Sequence, residues 1–321
     1  MSFAIYVYIM KLGNIMLSKS MVEVLIAVIN GSNNLESLQK ELSASKSWVS
    51  RIINSLEKQG FIRKVHNGRI LRFENASTPH GIAFRNMYLD KPYRKYSDIF
   101  SGKNLDVLQA IVTGEKSTKT IGDMMNVQAR IIRPRIKFLA SNGLIIKTGK
   151  RYAISSKQKE VIIFLQSLRN FSKKNGIILW KFGKTALLKT NKTSDVNGVL
   201  SGFNKYADFG VEINTIAFLY YTDFKKLSVE DIFIHSLFEI NDQRTFAFAA
   251  TFYAKQKLYL KKKKEKIIEL AEKFDKLDEV NNIINVFDMI KNNKIEESNT
   301  SSLVDVKEIK RLFDLYEVKN V

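Results

Sequence analysis

Apolar residues in the first half of the chain recur with the period of an α-helix, and the clearest case lies between Leu42 and Phe73. Val49, Ile52, Ile53 and Leu56 fall at i, i+3, i+4 and i+7 and share one helical face. Ser45 and Ser47 punctuate the start of this helix. At about 100° per residue, Ser47, Arg51, Asn54 and Lys58 lie on the opposite face. Gly60 is placed to end it in the left-handed cap conformation. Phe61 to Val65 and Ile70 to Phe73 then predict two strands, joined at His66–Asn67–Gly68–Arg69 with Asn-Gly supplying the tight turn. Upstream, Met21 to Ile29 (closed by Asn30–Gly31) and Leu35 to Leu42 predict two more helices, the second turning Leu38 and Leu42 inward.

The pattern repeats. A shift of 83 residues aligns 21–65 with 104–148 without a gap. Val24, Leu25, Ala27, Gly31, Ile53, Leu56, Gly60, Ile62 and Lys64 meet Val107, Leu108, Ala110, Gly114, Ile136, Leu139, Gly143, Ile145 and Lys147. These identities are core positions and helix-ending glycines, which are what a common fold retains. The second copy has a shorter hairpin, Lys147 to Ile154, turning at Gly149–Lys150. Arg51 corresponds to Pro134, so the matching helix is expected to kink at Pro134 or to begin there, leaving Ile132–Arg133 outside it and displacing Arg130 and Arg133.

Three helices, a glycine, a strand, a basic turn and a strand outline a winged helix-turn-helix. The run Leu42–Ser43–Ala44–Ser45–Lys46–Ser47–Trp48–Val49–Ser50–Arg51–Ile52, followed by Leu56–Glu57–Lys58–Gln59–Gly60–Phe61–Ile62, resembles winged-helix regulators of the MarR type. The resemblance spans residues 18–75. It implies DNA contacts from Ser45, Ser47, Arg51 and the wing residue Arg69; Trp48 stands where that family usually has a small residue. Lys46, Asn54 and Lys58 join the candidate interface. In the second copy Arg130, Arg133, Arg135, Lys137, Lys150 and Arg151 are the candidate phosphate contacts.

Charge sharpens this picture. The 321 residues carry a formal net charge of +20, but residues 1–175 hold 29 Lys and Arg against 11 Asp and Glu, whereas residues 176–321 hold 23 against 21. Such asymmetry suggests a polyanion-binding half joined to a near-neutral one. No basic amphipathic helix with a lipid-facing aromatic edge stands out, so nucleic acid is preferred to a membrane surface. There is no cysteine, which excludes disulfides and thiolate metal sites and leads us to expect a cytoplasmic protein. Phe3 to Met10 is apolar but too short to span a bilayer, and it can be a strand, a dimer-forming arm or translated leader.

The expected class is α+β: tandem winged helices followed by an α+β domain with a helical C-terminal end. The expected boundaries are an arm at 1–17, winged helices at 18–75 and 101–155, a connector helix at 76–100 opening at Thr78–Pro79, a linker helix at 156–175, a sensing or assembly domain at 176–293, and a linker with a last helix at 294–321. The connector segment Lys91–Pro92–Tyr93–Arg94–Lys95–Tyr96 is read as solvated, with base stacking the alternative. The linker helix, with Val161, Ile162, Leu165 and Leu168 on one face, joins the modules to the remainder or pairs with its copy in a homodimer. In the last domain Ile177 to Phe182, Ala186 to Leu188 and Val211 to Tyr221 predict strands, and Ile232 to Ile240, 243–260, 265–276, 278–292 and Val306 to Tyr316 predict helices.

Candidate chemistry is thin. Gly183–Lys184–Thr185 imitates the end of a P-loop, but its flanks read as strands and Ile178 stands where a glycine is needed. Glu230, Asp231 and His235 share a helix start, read as dipole-stabilising acids beside a surface histidine. His66 and His80 show no partner in the sequence. No nucleophile–base pair is found, and neither enzymatic activity nor a cofactor or metal is expected. The segment Gly183, Ala186, Leu187 with Ser228–Val229–Glu230–Asp231 resembles antitoxin-regulators of type IV abortive-infection systems, which implies an antitoxin-type regulator as the alternative. A protein-interaction scaffold is the rival class. The expected partner is double-stranded DNA, with a protein or small-molecule effector on the C-terminal domain.

Overall fold

A computed structural model describes residues 15–68, 70–170, 176–191, 196–223, 226–292 and 304–318. Residues 3–10, Arg69 and the polar linker at 293–302 lie outside these. The protein is an α+β chain, mostly helical with small antiparallel sheets. It divides into two compact units, residues 13–173 and a second unit containing 174–321.

The first unit opens with α1 (Lys19–Ile29), α2 (Leu35–Leu42) and α3 (Lys46–Lys58), followed by the hairpin β1 (Ile62–Asn67) and β2 (Ile70–Asn75). The hydroxyl of Ser45 caps α3 by accepting the Trp48 N–H, and Val49, Ile53 and Leu56 are buried beneath it. Gly60, at φ +77°, turns the chain into β1. Both strands end two residues beyond the sequence pattern, at Asn67 and Asn75, and β1 begins one residue later, at Ile62; Asn67 pairs with Ile70, and Gly68 sits at φ +61°.

Next come α4 (Pro79–Asp90), the single turn α5 (Tyr96–Ile99), α6 (Gly102–Ile111), β3 (Lys116–Ser117), α7 (Thr118–Met125), α8 (Ala129–Ser141), β4 (Ile145–Thr148), β5 (Arg151–Ile154) and α9 (Lys159–Asn170). The 83-residue repeat is visible element by element. α7 and α8 have the same start and end as α2 and α3 after that shift. The left-handed residues Ser43 and Asn126, and the glycines 60 and 143, also correspond. β3, β5 and β4 form a three-stranded sheet in that order.

Pro134 does not break the second copy as expected. α8 starts five residues before it, with Ile132 and Arg133 inside the helix. Ile132 takes the buried place of Val49, as Ile136 and Leu139 take those of Ile53 and Leu56. A helix-interior proline costs about 3 kcal/mol. Burying each isoleucine returns about 1.5–3 kcal/mol, so the core keeps the helix in phase. Pro134 itself is exposed, so its ring lies on the outer side of α8 and takes no place from the core.

Both copies share a core. α4 and α9 pack together within the chain, so the apolar face of α9 (Val161, Phe164, Leu165, Leu168) is already covered and is not presented to a second subunit. Tyr96 belongs to this core too: it is 1% exposed, and burial raises its pKa to about 12. The basic-aromatic connector is therefore not a solvated strip throughout, although Tyr93 is exposed.

The second unit holds β6 (Ile177–Phe182), β7 (Thr185–Thr190), β8 (Val199–Leu200), a 3-10 helix at Gly202–Phe209, and β9 (Phe218–Tyr221), in an antiparallel sheet ordered β6-β7-β9-β8. Only the end of the apolar stretch from Val211 pairs as a strand; Val211 is buried apart from the sheet, and Ile216 is almost fully exposed. Five helices follow among the described residues: α10 (Val229–Ser236), α11 (Gln243–Lys255), α12 (Lys261–Phe274), α13 (Leu277–Lys291) and α14 (Val306–Leu315). No helix among the described residues is long and apolar enough to cross a membrane.

Candidate nucleic-acid interface

The helical phase that buries Val49, Ile53 and Leu56 turns the other side of α3 outward. Ser47, Ser50, Arg51, Asn54, Ser55 and Lys58 line one open concavity along it. Ser45, Lys46, Ser47, Arg51, Asn54 and Lys58 are all exposed. The Ser45 hydroxyl is engaged in the cap and lies 3.3 Å from that of Ser47, so Ser45 sets the helix start as well as standing at its surface.

The hairpin fixes one of these residues. Lys64 on β1 donates to the Asn54 Oδ1 at 2.6 Å and is held by Glu57 at 2.7 Å. Because an ammonium only donates, it must face the oxygen of the amide. Lys64 takes one of the two lone pairs of that oxygen, and the Asn54 NH2 group is the end of the amide that the hairpin does not engage. Arg63 pairs with Glu74 across the hairpin at 2.6 Å, whereas Arg72 is exposed. The expected wing contact Arg69 lies outside the described residues.

The far end of α3 is locked from α4. His80 is fully buried, and its Nε2 lies 2.8 Å from the carbonyl oxygen of Gln59, the C-cap of α3. Thr78 caps α4 and also donates to the Gly60 carbonyl at 2.6 Å. Helix C-termini leave carbonyls unsatisfied, and these two side chains serve the carbonyls of Gln59 and Gly60, the two residues that follow α3. His80 is thus a positioning residue that the sequence left without a partner.

On α8 the same outward positions carry different chemistry. Arg130 replaces Ser47, Arg133 replaces Ser50, Pro134 replaces Arg51, and Lys137 replaces Asn54. Arg130, Arg133, Arg135 and Lys137 are exposed, as is Lys150 in the hairpin turn; Arg151 on β5 is half-buried. Because α8 stays in phase, Arg130 and Arg133 are not displaced from the geometry of the first copy. A second open concavity beside this helix is lined by Ile131, Pro134 and Phe138 together with Asp98, Asn104 and Arg135, so its face at the proline is apolar.

Neither a protein-family model nor a curated protein matches the chain.

The second unit corrects one expectation. His235 is not a surface residue: it is fully buried, its Nδ1 lies 2.7 Å from the Ser201 hydroxyl, and its ring packs against Tyr221 and Phe274. Asp231 completes a capping box with Ser228. Glu230 pairs with Lys266 at 2.9 Å; burial raises its pKa, but the bonds to Lys266 and Ser228 outweigh that and hold it below the usual range. Gly183 and Lys184 form the two-residue turn of the β6–β7 hairpin, a placement that accounts for the P-loop-like letters.

The residues missed in the sequence are Lys64, Glu57, Arg72, Thr78 and His80. Lys64 had one signal, its recurrence as Lys147. Thr78 and His80 act through contacts between α4 and the end of α3, and Glu57 through its ion pair with Lys64, none of which a spacing rule encodes.

Proposed function

We propose that the protein is a non-enzymatic, sequence-specific duplex DNA-binding transcriptional regulator, built on two winged helices and reading DNA mainly through the first. The observation that carries this is the outward face of α3: Arg51, Asn54 and Lys58 stand beside serines on a capped helix, flanked by a basic hairpin. It lies in the half of the chain that holds most of the excess positive charge. A helix of this diameter fits the major groove, where base edges present distinct patterns of donors and acceptors.

In this reading Arg51 takes guanine O6 and N7, and Asn54 offers donors to a base-edge acceptor. Lys46, Lys58 and the wing cations Arg69 and Arg72 hold phosphates and set the register. The second copy lacks the arginine at the reading position and carries Arg130, Arg133, Arg135, Lys137, Lys150 and Arg151, a set suited to phosphate rather than to base identity. The second unit serves as the sensing or assembly part of the regulator.

Selection of bound fragments from random duplex DNA tests the proposal. Enrichment of one short motif supports it. Binding with no enrichment leaves a general DNA-binding protein, and no binding at low salt favours the protein-interaction scaffold.

A further inference from the structure

The element that follows each hairpin shows how the two copies face one another. α4 and α9 both run for 12 residues and correspond after a shift of 80, three fewer than the shift relating the helices before them, because the second hairpin is shorter. Gly81, Phe84 and Tyr88 thereby match Val161, Phe164 and Leu168, and all six are buried. These equivalent helices pack on each other, and the equivalent phenylalanines touch: the rings of Phe84 and Phe164 lie 5.3 Å apart at 67°.

A patch that meets its own copy is the mark of a twofold interface, whereas copies arranged head to tail meet through different surfaces. We infer that the first unit is a dimer of winged helices fused into one chain, whose ligand is a single duplex bound asymmetrically: one segment read by base identity through α3, and an adjoining segment about one helical turn away held by phosphate contacts through α8. This rests on the DNA-binding reading.

Two observations give the arrangement its rigidity and its polarity. The copies are tied together by the Gly102 N–H donating to the Leu17 carbonyl at 2.9 Å and by Arg94 donating to Gln158 at 2.9 Å. Polarity comes from sequence: twofold-related positions carry Arg51 and Pro134, Asn54 and Lys137. A symmetric dimer of identical chains reads a palindrome. This chain has one reading half and one holding half, so its site has no reason to be palindromic.

The test uses the full chain and the motif enriched from random duplexes. Duplexes carrying that motif are extended by one helical turn on one side, on the other side, or on neither. Affinity is measured for each, and the number of chains per duplex is determined by sedimentation. The inference expects one chain per duplex and a gain of roughly tenfold or more from extension on one side only, whatever the added sequence. It also expects Arg130→Ala with Arg133→Ala to abolish that gain while the motif stays recognisable. A palindromic motif occupied by two chains, equal gains on both sides, or no gain on either would overturn the inference and leave DNA reading intact. Failure to bind any duplex at low salt would instead overturn the DNA-binding reading itself, and the inference with it.

Discussion

Lys64 Nζ lies 2.6 Å from the Asn54 Oδ1, so the hairpin holds the side-chain amide of Asn54 in one orientation on the exposed face of α3. An asparagine reads adenine by giving and accepting a hydrogen bond at once. With one of the two lone pairs of its oxygen taken by Lys64, Asn54 is the poorer acceptor and offers chiefly its donors, which suits guanine O6 or N7 or thymine O4. Lys64→Met returns the acceptor, and the account expects preference at one base pair to move towards adenine in a selection from random duplexes. Loss of affinity on every sequence alike, with the motif unchanged, would make Lys64 a phosphate contact instead.

Arg51 and Lys58 share a helix face but are assigned different tasks. Arg51→Ala is expected to cost about 1–3 kcal/mol on the preferred site and to relax preference at one base pair. Lys58→Ala is expected to weaken specific and random duplexes alike. Binding titrations of both variants on both duplexes check this, and equal losses from Arg51→Ala on the two would demote it to a backbone contact.

The helix through Pro134 is maintained by the core against a local penalty. Pro134→Ala restores a backbone donor and removes the clash with the preceding turn, so it is expected to raise stability by about 1–3 kcal/mol in urea denaturation. A destabilised variant would show that the proline has a packing role that its exposure does not reveal.

Glu239 gives a pH-dependent prediction in the second unit. It is 7% exposed, accepts the Phe203 N–H at 3.4 Å, and sits 3.5 Å from Lys189 Nζ. Burial raises its pKa and Lys189 only partly opposes that. A carboxyl whose folded pKa is raised contributes stability below its unfolded pKa, and that contribution is lost as pH rises through the folded value. Glu239→Gln keeps an acceptor for Phe203 without the buried charge. Relative to the unsubstituted protein, its melting temperature is therefore expected to improve between pH 4 and pH 7; a relative decline over that range would contradict this.

Much of the first unit was legible in the sequence because periodic burial and capping are local. The repeat itself placed α7 and α8, and Thr78–Pro79 marked the start of α4. Local rules failed where tertiary packing decided the outcome. The cost of Pro134 is visible in the sequence and predicts a break, whereas the compensating burial of Ile132 and Ile136 is not visible there. The apolar letters from Val211 onward suggested a long strand, but only Phe218–Tyr221 finds partners on both sides, in β7 and β8. His235 follows two acids at a helix start and resembles a surface residue until Ser201, Tyr221 and Phe274 close over it. Of the candidate interface, the face of α3 was readable from its period, but its supports Lys64 and His80 were not.

The most direct test of the central claim is the salt dependence of binding by the full chain to duplex DNA. If cations on the first unit neutralise phosphates, log K falls linearly with log salt by about 0.9 for each phosphate contacted. Six contacts would then reduce affinity by about a thousandfold between 50 and 200 mM salt. Affinity unchanged across that range would contradict the account.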